Sequence, residues 1–339
     1  MVNGKNSTIY DVAAAAGVSV ATVSRVFNGS PLVTGKTAEK IKKIAAELDY
    51  YPNSNARGLS VSKNEIIGFI LPVVYGEFFS ELIYSAETEI QKRKYHLIIS
   101  SVHDSVDELR DAIRSLRSKV DALAIFFPYK IDEKILGRLT EKMPVIFLSD
   151  FTKKKIANII TIDNFEGSRK LTEQIIRMGH RRIAYFRADQ KNLDACDRFK
   201  GFMRAVEDNS SDIDEYKIYD AGFTRAAGRA TASVLAAGSF KPSVIICAND
   251  ACAIGALRYF RENNVSVPDE LSIAGFDDIE TASLLYPQLT TVNGNIRSLA
   301  VTAVEHLFNM ITSPEKIKSS GKTVIHAAPV LRGSVKILN

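Results

Sequence analysis

Residues 8–29 predict two short helices joined by a tight turn. Thr8, followed three residues later by Asp11, forms a capping-box pattern at the start of the first helix, and Gly17 suits a left-handed helix end. Ser19 can cap the second helix, whose apolar side chains recur on one face. The other face of that helix carries small, polar and cationic side chains: Ser19, Val20, Ala21, Thr22, Ser24 and Arg25.

One helix packed on a partner while its other face stays free is the arrangement of a helix-turn-helix, whose second helix lies in the DNA major groove. An ordinary helical hairpin inside a larger domain is the alternative, because such motifs have false positives. A third helix over Lys36–Leu48 would complete an all-α bundle. Residues 1–63 hold eight Lys and Arg against four Asp and Glu, a net +4 in a chain of net +5, which favours a phosphate-binding head. A solvated lysine face is the alternative for Lys40, Lys42 and Lys43.

A linker rich in Asn, Ser and Gly follows, and Pro52 ends the third helix before it. The opening motif, together with the pattern Tyr-x-Pro-Asn-x-x-Ala-Arg-Gly-Leu over residues 50–59, resembles the LacI/GalR family of bacterial transcription regulators. The resemblance extends over essentially the whole chain. It implies a DNA-binding domain at 1–51, a hinge helix at 52–63 that folds on operator DNA, and an effector-binding and dimerisation region at 64–339. In such a hinge an apolar side chain is wedged into the minor groove. The minor-groove contacts that the resemblance implies come from Asn53, Ala56, Arg57 and Leu59.

Composition is that of a soluble protein of two or three domains, with 339 residues, 46% of them hydrophobic and 24% charged. No apolar run approaches the about 18 residues of a membrane span, and the N-terminus has no hydrophobic signal segment. The three cysteines are odd in number and lack metal-site spacing, which suits a reducing cytoplasm. We therefore expect a cytoplasmic, nucleoid-associated protein without a metal or cofactor.

Beyond residue 64 the chain alternates buried strands with amphipathic helices, which predicts an α/β fold of two doubly wound parallel sheets, as in periplasmic binding proteins. The first lobe is expected at about 64–162 and 293–322, and the second at about 163–292 and 323–339. The first series of predicted strands is Ile66–Val74, Leu97–Val102, Ala122–Pro128 and Pro144–Ser149. The second series is Ile159–Asp163, Ile183–Ala188, Lys217–Asp220, Val244–Ala248 and Ser272–Phe276. Helices are predicted between them, among them 81–93, 106–117 and 133–141.

Ligands of such sheets bind beyond the carboxyl ends of the strands, and polar residues stand there in this sequence. Carboxylates, an amide and a guanidinium beside aromatic rings suit a small polyhydroxylated ligand. By resemblance, the effector contacts are Phe78, Phe79, Asp150, Arg198, Phe223, Asn249 and Asp277. A helix N-cap is the preferred interpretation of Asp250 and Asp278. Where some sugar-binding members of the family have a glutamine, this chain has Gly294, so the identity of the effector does not transfer.

An enzyme is not expected, because no nucleophile elbow, phosphate-binding loop or dinucleotide fingerprint is present. The lone His180 lies at a helix-to-strand turn, where a structural role is expected. A sugar-binding transport protein is the alternative from another class, since it shares the two-lobed region. It would need an export signal and would have no use for a basic head.

By resemblance, two copies pair and present two heads to a pseudo-palindromic operator. The major-groove residues are then Ser19, Val20, Ala21, Thr22 and Arg25, and the phosphate contacts are Thr8, Tyr10, Ser24, Asn28 and Thr34. We expect repression controlled by a sugar or sugar derivative, with a purine-like corepressor as the alternative. A phosphorylated partner protein is disfavoured, because Glu305 and His306 stand where that branch has a basic pair. The chain has no leucine heptads after its last strand, so a coiled-coil tetramer is not expected.

Overall fold

A computed structural model describes residues 7–27, 30–50, 63–72, 76–132, 143–152, 158–313 and 321–338. The chain divides into two units, Met1–Glu65 and Ile66–Asn339. We call the first the head and the second the body. Each has a hydrophobic interior of its own.

The described part of the head consists of α1 (Ile9–Ala16), α2 (Val20–Phe27) and α3 (Gly35–Glu47). The axes of α1 and α2 are bent by 106° at the turn between them, which lies in the range of helix-turn-helix pairs. Val12, Val23 and Ile41 fill the space between the three helices and are fully buried.

The predicted ends of α1 are confirmed. The Asp11 N–H donates to Thr8 Oγ1 at 3.4 Å, and the Asp11 carboxylate accepts from the Thr8 N–H at 2.7 Å, which completes the capping box. Gly17 ends the helix with φ of 68°, a conformation that costs glycine nothing because it has no Cβ. Local sequence signals therefore determine where this helix begins and ends.

The first sheet of the body has six parallel strands. In spatial order they are β11 (Gly321–Ile325), β5 (Asn158–Ile162), β4 (Val145–Phe147), β3 (Ala122–Ile125), β1 (Ile66–Leu71) and β2 (His96–Ser101). Helices α4 (Glu77–Gln91), α5 (Val106–Leu116) and α11 (Ile296–Thr312) pack on it. These elements form the first lobe.

The second sheet has four parallel strands. In spatial order they are β7 (Glu215–Asp220), β6 (Arg182–Arg187), β8 (Val244–Cys247) and β9 (Ser272–Ala274). The second lobe also contains α6 (Asn164–Arg177), α7 (Leu193–Asp208), α8 (Arg225–Ala237), α9 (Asp250–Glu262) and the short α10 (Glu280–Leu284). Strands β10 (Thr291–Asn293) and β12 (Ala328–Val330) pair with each other as a two-stranded antiparallel ribbon. The predicted pair of doubly wound parallel sheets is confirmed.

The chain passes between the lobes after β5, after β10 and after β11. Strand β11 pairs in parallel with β5 from Gly321 through Ile325. The first lobe therefore includes residues up to Ile325, three positions beyond the boundary expected at about residue 322. No single helix in the described ranges is both long and apolar enough to cross a membrane.

Other elements differ from the prediction in the sheet to which they belong or in their length. The strand predicted at Ile159–Asp163, which begins the second predicted series, is Asn158–Ile162 and lies in the first sheet between β4 and β11, within the residues expected for the first lobe. Helix α4 begins at Glu77, four residues before the predicted start. Strands β10, β11 and β12 were not predicted. The helix predicted at 133–141 lies outside the described residues.

Candidate nucleic-acid interface and ligand site

Three of the predicted base-contacting side chains, Ala21, Thr22 and Arg25, lie on the outward surface of α2. Ala21 and Arg25 are exposed, while Thr22 and Ser24 are partly exposed. Val20 is partly buried, because its side chain packs against the hydrophobic interior of the head. The outward surface of α2 thus carries the long cationic side chain of Arg25 among small side chains. Small side chains allow the helix to lie close to the base edges of a DNA groove.

Several of the other predicted contact residues lie at helix starts. Ser19 accepts from the Thr22 N–H at 3.2 Å, and Thr8 belongs to the capping box of α1. Thr34 is at the N-cap position of α3, with its hydroxyl 2.9 Å from that of Thr37. Backbone N–H groups at helix starts bind anions, so these places suit phosphate. Tyr10 is 70% exposed in the first turn of α1.

The lysines of α3 have different surroundings. Lys40 Nζ donates to the Ala16 carbonyl at 3.0 Å, so this cation stabilises the C-terminal end of α1. Lys36, Lys42 and Lys43 are exposed. The predicted phosphate contact Asn28 lies outside the described residues, and so do the four predicted hinge contacts Asn53, Ala56, Arg57 and Leu59.

In the body, Arg198 is the centre of a buried polar cluster near the start of α7, where it is 6% exposed. Its guanidinium donates to Asn164 Oδ1 at 2.8 Å and to the Ala248 carbonyl at 2.7 Å. A third nitrogen lies 2.9 Å from Asp277 Oδ1, an ion pair in which that oxygen makes no well-aligned hydrogen bond. The guanidinium carbon lies 3.8 Å from the centre of the Phe276 ring. Arg198 is thereby fixed in position at the carboxyl ends of the strands.

Asn249 and Asp277 follow β8 and β9. Asn249 is the N-cap of α9: its Oδ1 accepts from the Cys252 N–H at 2.9 Å, and its Nδ2 donates to the Phe223 carbonyl at 3.1 Å. This second bond holds Phe223 near the cluster, with its ring centre 5.9 Å from the Arg198 guanidinium carbon. Burial raises the pKa of Asp277, while Arg198 and Asn249 lower it.

Asp250 and Asp278 are not helix N-caps, which corrects the preferred interpretation of them. Asp250 accepts from the Ile279 N–H at 3.0 Å and from the Thr291 hydroxyl at 2.5 Å. Burial raises the pKa of Asp250 well above its usual range, and Asp277 adds to the rise. Asp278 pairs with Arg332 at 2.7 Å. Both carboxyls tie distant segments of the fold together instead of capping the helix that follows.

Three of the predicted ligand contacts, Asp150, Phe78 and Phe79, lie in the first lobe. Asp150 Oδ2 lies 2.6 Å from Lys322 Nζ, while its other oxygen is buried without a hydrogen-bond partner among the described residues. Phe78 and Phe79 at the start of α4 pack edge to face with each other and with Phe126, at centroid separations of 5.2 to 5.7 Å. The described contacts thus form an aromatic group in the first lobe and a polar group around Arg198 in the second.

Sequence reasoning missed Asp194, which lies one helical turn before Arg198 on α7. Burial raises the pKa of Asp194 to about 7 against the opposing effect of Arg198. The carboxylates of Asp277 and Asp150 add to this rise, so Asp194 lies within electrostatic reach of strand ends in both lobes. The four-residue spacing from Arg198 was the available signal. Lys322, the partner of Asp150, could not be found this way because it lies on a strand that was not predicted.

The chemistry of these side chains suits a hydroxyl-rich molecule. Carboxylate oxygens of Asp150, Asp194 and Asp277 accept hydrogen bonds, and the rings of Phe78, Phe79 and Phe223 offer apolar faces. Arg198 and Lys322 are each paired with a carboxylate, which leaves little uncompensated positive charge for an anion. Among the described residues, no three His, Cys, Asp or Glu side chains are grouped to hold a metal ion.

Comparison with known proteins matches both units of the chain. The profile of bacterial regulatory proteins of the lacI family matches residues 8–53, and that of a periplasmic binding protein-like domain matches residues 172–335. The HTH-type transcriptional repressor PurR of Vibrio parahaemolyticus is 32% identical over 338 residues, which cover 98% of this chain and 100% of that protein. The ribose operon repressor of Haemophilus influenzae is 30% identical over 332 residues, 97% of this chain and 98% of that protein.

A solved structure is similar over nearly the same length. The lac repressor dimer bound to operator and the anti-inducer ONPF superposes with a TM-score of 0.83 at 27% identity, covering 98% of this chain and 100% of that one. The similarity therefore includes the head as well as the two-lobed body.

Proposed function

Because the chain belongs to the lacI family of bacterial regulatory proteins, we propose that it represses transcription as a dimer on a pseudo-palindromic operator, under the control of a small ligand. Like its family, it is a DNA-binding transcriptional regulator and not an enzyme. The observation that carries the proposal is the outward surface of α2, where Arg25 and Ala21 are exposed on a separate three-helix unit. A transport protein would have no use for such a unit.

In this proposal α2 enters the major groove. Arg25 donates to a guanine edge, while Val20 and Ala21 offer apolar contact to a thymine methyl group. Tyr10, Ser24 and Thr34 contact phosphates and set the register of the head without reading sequence. A dimer is required because one head of this size buries too little surface for selective binding.

Residues 52–63 act as the hinge between head and body, with Leu59 as the wedge in the central minor groove. Ligand bound between the lobes changes their closure, and the closure favours or disfavours the folded hinge. A coupling of a few kcal/mol is enough to switch operator occupancy. Binding to chromosomal DNA would place the protein in the cytoplasm, at the nucleoid.

The proposed ligand is a sugar or sugar derivative held between Asp150, Asp194 and Asp277. The support for it is the excess of hydrogen-bond acceptors over free cations in the site. A purine-like corepressor is the second candidate, because Phe78, Phe79 and Phe126 group three rings that could stack on a planar base.

Two measurements test the proposal. Selection of genomic fragments at moderate salt should recover sites with two-fold related halves, and bulk competitor DNA should not displace the protein from them. Thermal-shift screening against sugars, sugar phosphates and purines should raise the melting temperature of the body with one of these classes. Absence of any preferred fragment would contradict the regulator mechanism, and a ligand that raises melting without altering operator affinity would contradict the switch.

A further inference from the structure

Glu77, the first residue of α4, belongs to the first lobe but has both of its described partners in the second. Its Oε1 accepts from the Arg225 guanidinium at 2.7 Å, and its Oε2 accepts from the Thr281 backbone N–H at 3.0 Å. Arg225 begins α8, and Thr281 lies in the first turn of α10. One carboxylate thus joins the start of a first-lobe helix to the starts of two second-lobe helices.

The hydrogen bond from the Thr281 N–H satisfies a backbone donor in the first turn of α10. The first N–H groups of a helix have no partner within the helix and are usually satisfied by a polar N-cap side chain. The N-cap of α10 is Ile279, whose aliphatic side chain accepts nothing. Glu77 supplies the missing acceptor from the opposite lobe. Separation of the lobes would return the Thr281 N–H to water.

The segment that leads into α10 continues directly from the ligand site. Asp277, the ion partner of Arg198, precedes Thr281 by four residues, and both Asp277 and Asp278 have positive φ, at 113° and 60°. Asp278 is in addition fixed to Arg332, so the path from the ligand site to α10 has little freedom to move independently. A shift of Asp277 on binding a ligand would therefore be passed to the partner of Glu77.

We propose that Glu77 is an interlobe latch that stabilises contact between the lobes through Arg225 and Thr281. The consequence for operator occupancy rests on the function proposed above, but the latch itself does not. Loss of the Glu77 carboxylate shifts the lobes toward separation.

Hydrogen exchange of the full-length protein, measured without DNA or ligand, tests the latch at the Thr281 amide. Glu77→Ala should speed exchange in the peptide containing residue 281 by about tenfold, the effect of losing a hydrogen bond to a charged group at a partly exposed site. Arg225→Gln should give a smaller increase, because it removes one of the two partners.

Glu87→Gln is the matched control, since Glu87 is on the same helix but accepts from Gln91 within it. This variant should leave exchange at residue 281 unchanged. Equal exchange in the protein and in Glu77→Ala would overturn the proposal. If Glu77→Ala lowers the melting temperature of the whole body, Arg225→Gln still tests the latch, and exchange at residue 281 equal to that of the unchanged protein would then overturn the proposal. Because no DNA is present, failure of the latch and failure of operator binding remain distinguishable.

Discussion

Acidification should destabilise the body through His180, which is fully buried between α6 and β6. Its Nε2 lies 3.0 Å from the Lys336 carbonyl, and its Nδ1 lies 2.9 Å from the Ser243 hydroxyl. A carbonyl can only accept, so Nε2 carries the proton. The one Ser243 hydroxyl proton faces both Nδ1 at 2.9 Å and the Arg182 carbonyl at 3.2 Å, and in the neutral form of the ring Nδ1 is the acceptor at the shorter distance. Both ring nitrogens are thus satisfied in the neutral form. Burial lowers the pKa of His180 from 6.5 to about 4.

The direction of the effect follows from which state binds the proton. Between the two pKa values the unfolded chain takes up a proton on this histidine and the folded protein does not, so stability is complete above 6.5 and falls as the pH falls toward 4. Below both pKa values the free energy of unfolding is lower by about 3 kcal/mol, because the pKa of His180 differs between the unfolded and folded states by about 2.5 units at 1.36 kcal/mol each. At pH 5 the loss is already about 2 kcal/mol.

Urea unfolding of the protein and of His180→Gln at pH 7.5, 6 and 5 measures this contribution. Glutamine removes the titration, so the stability gap between the two proteins should shrink by about 2 kcal/mol from pH 7.5 to pH 5. His96→Gln is the control, because His96 is exposed on β2. A gap between the protein and His180→Gln that stays constant with pH would refute the assignment of a buried neutral imidazole.

Three further predictions concern the DNA and ligand sites. Arg25→Ala should cost about 1–3 kcal/mol in operator binding and relax the preference at one base pair, whereas Lys42→Ala should weaken all sequences alike; competition titrations against single-base operator variants separate the two. Leu59→Ala should reduce specific binding and spare non-specific binding, and equal loss in gel-shift assays on both kinds of DNA would count against the wedge. Arg198→Met should lower the free energy of unfolding by about 3 kcal/mol, since it leaves a buried carboxylate uncompensated, and adding Asp277→Leu should restore part of that loss in urea titrations.

The parts of the fold that were predictable from sequence are those governed by local interactions. The start of α1 depends on Thr8 and Asp11, its end on Gly17, and all three lie within ten residues of one another. The buried strands β1, β3 and β8 are apolar along their length, so their pattern is clear. Such signals do not depend on the rest of the chain.

What could not be predicted depends on contacts between distant residues. Strands β10 and β12 have three residues each and exist because they pair with one another, Thr291 with Val330 and Asn293 with Ala328, at separations of 39 and 35 positions. Strand β11 begins with exposed, polar residues, so its sequence lacks the pattern of a buried strand. Asp250 follows a strand just as a capping residue would, but its carboxylate is taken by Ile279 and Thr291. In the ligand site, the pairing of Asp150 with Lys322 joins residues 172 positions apart.

The three passages between the lobes have a consequence for how regulators of this architecture can diversify. The first lobe is assembled from gene segments that lie on both sides of the second, since β11 returns to it after nearly all of the second lobe has been encoded. Recombination at a single breakpoint therefore cannot exchange one lobe for another. The head occupies one uninterrupted stretch and has its own packed interior, so a single crossover beyond it can graft a new DNA specificity onto an unchanged sensor.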